Sequence, residues 1–86
     1  ELMFLLGKTL MVEKQWSKAA KVYLDIYSSF PKVPRSGEAL YYLSVSFAES
    51  NQFERACLML TELRVEYPRS NFVNDASQKA MELNCQ

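Results

Sequence analysis

The sequence predicts an all-α chain: a helical solenoid of about five antiparallel helices written on a 37-residue repeat. Three observations predict it. Sliding the sequence by 37 positions places Leu6 on Leu43, Leu10 on Phe47, Gln15 on Gln52, Trp16 on Phe53, Ala19 on Ala56, Phe30 on Tyr67 and Pro31 on Pro68. Self-similarity at such a period is the signature of stacked repeats. Within the first copy, apolar residues recur at helical spacing, as Leu2, Met3, Leu6 and Leu10 and then as Ala19, Tyr23, Ile26 and Phe30. The 86 residues contain only 2 Gly and 3 Pro, too few to punctuate a series of β-hairpins.

The elements follow in order. A first helix over about 1–13 runs into the polar turn Glu13-Lys14-Gln15, and a second over about 16–29 ends before Phe30-Pro31. The residue before a proline is pushed out of the α region, so such a pair stops a helix. A third helix over about 37–50 gives way to Glu49-Ser50-Asn51-Gln52, and a fourth over about 53–66 ends before Tyr67-Pro68. The fifth, about 72–84, is a truncated third copy in which Ala76 takes the place of Ala39 and Ala80 that of Leu43; Asn71 is its candidate cap. The organisation is a single domain, with repeat 1 at about 1–36, repeat 2 at about 37–71 and a C-terminal capping helix at about 72–85.

Composition narrows the function. Ten basic and ten acidic residues are interspersed and cancel, which leaves no electrostatic footprint for nucleic acid. No apolar run approaches the ~20 residues that span a bilayer, and the opening Glu1-Leu2-Met3-Phe4-Leu5-Leu6 is too short and lacks the basic flank of a signal peptide. The chain begins without Met and is expected to be an excised domain. There is no His, no Gly-rich loop and no nucleophile beside a base, so neither catalysis nor a cofactor is expected. Two cysteines without His or a CxxC spacing do not close a metal shell.

The residues fit the tetratricopeptide pattern W-x₂-L-G-x₂-Y, A-x₃-F, P: Met3-x₂-Leu6-Gly7-x₂-Leu10, Ala19-x₃-Tyr23 and Pro31, then Leu40-x₂-Leu43-Ser44-x₂-Phe47, Ala56-x₃-Leu60 and Pro68. Gly7, Ser44, Ala19 and Ala56 are small where the two helices of a repeat cross. Trp16 and Phe53, at the turn of each hairpin, are expected in the core. The first helix of each repeat faces the concave groove where solenoids bind partners, and that face holds Phe4, Lys8, Met11, Glu38, Tyr41, Val45, Glu49, Gln78 and Glu82. Clamping a C-terminal carboxylate needs several cationic donors, and only Lys8 qualifies. Tyr41, Phe4 and Val45 either contact a partner peptide or pack on a neighbouring repeat. In a stack of antiparallel hairpins the end of the fifth helix returns beside the start of the fourth, so Cys57 and Cys85 can be neighbours; a disulfide and two free thiols both remain open.

The segment 39–70, ALYYLSVSFAESNQFERACLMLTELRVEYPRS, with its repeat period, its Tyr-Pro-x-Ser ending and the terminal Glu82-Leu83-Asn84-Cys85-Gln86, resembles the C-terminal tetratricopeptide domain of the periplasmic Tol-Pal system proteins, the cell division coordinators (YbgF/CpoB), in the form found in alphaproteobacteria. The resemblance implies an exported, non-enzymatic scaffold that coordinates outer-membrane constriction with peptidoglycan synthesis during division. It further implies a TolA-like component and the peptidoglycan synthesis machinery as partners, a homotrimer through an upstream coiled coil, and Cys57 and Cys85 as a disulfide pair. The Tyr-Pro-x-Ser ending is similar also to that of the tetratricopeptide lipoprotein of outer-membrane protein assembly. A cytosolic adaptor or chaperone-like module, with both thiols reduced, is the other reading.

Overall fold

The computed structural model describes residues 2–29, 33 and 35–85. Five helices follow one another: α1 (Leu2–Val12), α2 (Trp16–Ser29), α3 (Ser36–Glu49), α4 (Phe53–Glu66) and α5 (Val73–Glu82). Each packs on its neighbours in sequence, so α1–α2 and α3–α4 form hairpins and α5 lies against α4 and the edge of α3. Contacts across the stack sort the helices into two rows. Lys8 of α1 reaches Glu38 of α3, and Tyr41 of α3 meets Phe72 at the start of α5. In the other row the Tyr27 hydroxyl of α2 donates to Glu62 of α4 at 2.8 Å.

The turns that follow α1, α3 and α5 share one construction. The N–H of Gln15 donates to the Leu10 carbonyl and that of Lys14 to Met11, with Lys14 in the left-handed region at φ 61°. Gln52 to Phe47, Asn51 to Ala48 and Asn51 at φ 64° repeat it 37 residues on. Cys85 to Ala80, Asn84 to Met81 and Asn84 at φ 59° repeat it once more, one helical turn earlier than the repeat period. Such a cap satisfies the last carbonyls of a helix and reverses the chain.

The core runs through the middle of the stack: Ala19, Tyr23 and Ile26 of α2, Ala39, Leu40 and Leu43 of α3, Leu60 and Leu63 of α4, Ala76 and Ala80 of α5. Tyr23 is its centre, fully buried, edge-on to Phe4 at 6.1 Å and tilted on Tyr42 at 5.5 Å. Gly7 makes this possible, because a Cβ at that position would stand 2.6 Å from the Tyr23 ring. The Tyr23 hydroxyl finds no hydrogen-bond partner among the described residues. Ser44 and Ser46, also buried, satisfy their hydroxyls by donating to the carbonyls of Tyr41 and Tyr42.

Several sequence expectations change. α3 begins at Ser36, and α5 spans Val73–Glu82 rather than 72–84. Asn71 does not cap α5; the N-cap position is Phe72, whose own N–H donates to the Ser70 hydroxyl. On α1 the stripe of Leu2, Met3 and Leu6 is exposed and the buried residues are Phe4 and Gly7, because in a helix apolar on all sides the partner decides the inner face. Their equivalents in α3, Ala39 and Leu43, are buried because α2 lies behind them. Phe53 is 48% exposed and Trp16 half-buried, since the first residue of a helix projects outward beyond the hairpin contact. The expected stop at Phe30-Pro31 lies outside the described residues.

Two substitutions of opposite sign test this account. Gly7→Ala gains roughly 1 kcal/mol of helix propensity but pushes a methyl into an immobile ring at a cost of about 1–3 kcal/mol, so urea unfolding is expected to show a net loss. Lys14→Gly relieves a left-handed side chain, and the same measurement is expected to show a gain of about 1 kcal/mol.

Candidate functional site

The row formed by α1, α3 and α5 carries a connected set of aromatic and charged side chains. Tyr41 and Tyr42 meet edge to face at 5.7 Å, and Phe72 packs on both at 5.4 and 5.7 Å. Tyr42 continues inward to Tyr23 and so to Phe4. Cations lie over this aromatic surface, the Arg35 guanidinium 3.9 Å above the Phe4 ring and the Lys8 ammonium 5.4 Å above Tyr42. Glu38 ties the two cations together, accepting from Arg35 Nε at 2.9 Å and lying 3.7 Å from Lys8.

The repeat orders this surface. Phe4 and Tyr41 are equivalent positions 37 residues apart, and so are Arg35 and Phe72. In each copy the residue leading into the next first-row helix packs on the aromatic of the preceding one.

The residues expected on the groove are placed as follows. Lys8 and Glu38 are in contact, and Tyr41, Gln78 and Glu82 line one polar notch of about 180 Å³ together with Asp75 and Lys79. Glu49 is exposed; Met11 and Val45 are half-buried, and Met11 packs against the core cluster. Phe4 is only 6% exposed, roofed by Arg35, and belongs to the core. Sequence reasoning missed Arg35, Phe72, Asp75 and Lys79. The Arg35/Phe72 equivalence was a usable signal, whereas the convergence of Asp75 and Lys79 on Tyr41 depends on where α5 docks.

Electrostatically the face has two ends. Lys8 and Arg35 set a cationic end, offset by Glu38, while Asp75 and Glu82 set an acidic end beside Tyr41, with Lys79 3.4 Å from Glu82. Burial, then the charges of Asp75 and Glu82, raises the Tyr41 hydroxyl above its ordinary range. Tyr23 is raised by burial first and by Tyr42 and Glu38 next, with Arg35 opposing. Tyr27 is raised by burial and by the hydrogen bond it donates to Glu62. The surface offers stacking, cation–π and hydrogen-bonding contacts to a polypeptide.

After α5 the sulfurs of Cys57 and Cys85 lie at disulfide distance, with their Cα atoms 5.5 Å apart. They border an open groove with Phe53, Leu58, Thr61 and Leu83. Among the described residues no cluster of His, Cys, Asp and Glu could hold a metal, and no helix is long and apolar enough to cross a membrane.

A tetratricopeptide repeat model matches residues 38–70, nearly all of α3, the whole of α4 and the turn that follows. No curated protein and no solved structure matches the chain. The fold is all-α and of tetratricopeptide-like helical type, and repeats of this type are protein–protein interaction modules that are generally non-catalytic.

The buried tyrosines imply a defined alkaline limit. An unfolded Tyr23 releases its proton near pH 10 and the folded one holds it higher, so this contribution to stability is whole below about pH 10 and falls above it by about 1.4 kcal/mol per pH unit. Urea midpoints measured up to and beyond that pH are expected to fall more steeply for the wild type than for Tyr23→Phe, which also removes the unpartnered hydroxyl.

Proposed function

We propose that this chain is a non-enzymatic protein-binding scaffold of the Tol-Pal system in the bacterial periplasm, where it coordinates outer-membrane constriction with peptidoglycan synthesis during cell division. The observation that carries the reading is the Cys57–Cys85 pair at disulfide distance on a tetratricopeptide-like fold. Disulfides persist in oxidising compartments and are rare where glutathione keeps thiols reduced. Closing a loop over a sequence separation of 28 residues contributes on the order of 3 kcal/mol, a large share of the stability of so small a core. The likeness of segment 39–70 to the cell division coordinators supplies the narrower assignment.

In this reading the chain is one domain of two repeats, about 1–36 and 37–71, with a capping helix at about 72–85. A TolA-like component or part of the peptidoglycan synthesis machinery lies along the first-row face, and the full protein is a homotrimer through an upstream coiled coil. Tyr41 is the central anchor because it is half-exposed, rigidly packed between Tyr42 and Phe72, and flanked by Gln78 and Glu82. Rigid aromatic residues at the middle of an interface carry a disproportionate share of binding energy.

The test is calorimetric titration of the chain with the periplasmic part of the TolA-like component from the same organism. Binding is expected, and Tyr41→Ala is expected to weaken it by about tenfold or more, with helicity and Tm retained. An absence of binding defeats the Tol-Pal assignment. Free, alkylatable Cys57 and Cys85 in protein isolated from its host without reductant defeat the periplasmic one and favour a cytosolic adaptor.

A further inference from the structure

α5 is held differently from the other helices. Its ten residues are fewer than the ~12–15 that make an isolated helix even marginal in water. Its buried side chains are Ala76 and Ala80, with Val73 and Leu83 only partly buried against the core, whereas α2 buries Tyr23 and Ile26 and α4 buries Leu60 and Leu63. No side chain caps its N-terminus. Beyond these side chains its attachments lie at the two ends, Phe72 on Tyr41 and Tyr42 at the start and Cys85 on Cys57 at the finish.

The position of that second attachment follows from the turns. Gln15 and Gln52, after α1 and α3, occupy the last residue of the left-handed cap and lead directly into α2 and α4. Cys85 occupies the same place after α5, one turn early, and bonds back to α4. This turn is also tied to α4 by sulfur. Both sulfur-bearing residues border an open groove of about 590 Å³, so a small dithiol reaches them without unfolding the chain.

We propose that the Cys57–Cys85 bridge is a redox latch on α5. A dithiol reductant attacks one sulfur as thiolate, forms a mixed disulfide and expels the other cysteine; its second thiol then closes on its own sulfur and releases the first. Two electrons and two protons pass to the protein, leaving two cysteine thiols and one oxidised dithiol. With the latch open, α5 leaves α4, because two buried alanines with the partly buried Val73 and Leu83 are a weak hold on a ten-residue helix. Gln78 and Glu82 then depart from Tyr41, so the first-row face loses its acidic end. Only this consequence rests on the protein-binding reading; the latch itself depends on the chain alone.

Hydrogen exchange followed by mass spectrometry on the whole chain, with and without dithiothreitol, tests it. Amides of residues 73–82 are expected to lose protection by on the order of a hundredfold on reduction and to regain it on reoxidation, while α2, α3 and α4 stay protected. The double variant Cys57→Ser/Cys85→Ser is expected to exchange like the reduced chain and to ignore dithiothreitol. Unchanged protection of α5, or loss across all five helices together, overturns the latch. If α5 opens on reduction yet a bound TolA-like component is held equally well, the groove reading fails and the latch stands.

Discussion

The approach of Gly7 to Tyr23 is the constraint on which the rest of the molecule depends. A ring tip that would stand 2.6 Å from a Cβ leaves no alternative residue at that crossing, and the absent side chain lets α1 settle on α2. Once it has settled, Phe4 turns inward onto Tyr23 and Lys8 comes within reach of Glu38. The second repeat solves the same problem with Ser44 and Leu60, both fully buried. At the third equivalent position stands Met81, which is 79% exposed.

The first-row face owes its character to the same economy of small crossings. Because helices of one row lie close, residues from consecutive repeats meet across them: Arg35 on Phe4, Phe72 on Tyr41, Lys8 on Glu38. The aromatic surface is therefore braced from behind by the core through Tyr42 and Tyr23 and does not pay rotamer entropy when a partner settles on it. Rigidity and binding capacity come from one set of contacts.

The outer helices are held differently. On α1, Leu2 and Leu6 are exposed at positions that α2 covers on α3. α5 is joined to its neighbours by Phe72 and by sulfur as well as through Ala76 and Ala80.

The sequence by itself determined the helix count, the repeat period and the turns. These are local: a 3.6-residue periodicity, a residue before proline and a polar turn need no tertiary partner to be read. Gly7, Ser44, Ala19 and Ala56 as crossing points were also legible, because two copies of one unit expose the positions that must stay small. Tertiary structure alone decided which face of α1 is inside, since Leu2, Met3 and Leu6 satisfy the periodicity as well as Phe4 does. It also decided that Arg35 roofs Phe4 and that Asp75 and Lys79 join Tyr41. The reason is physical: an apolar helix has no preferred inner face until a particular neighbour, here Tyr23 against Gly7, selects one.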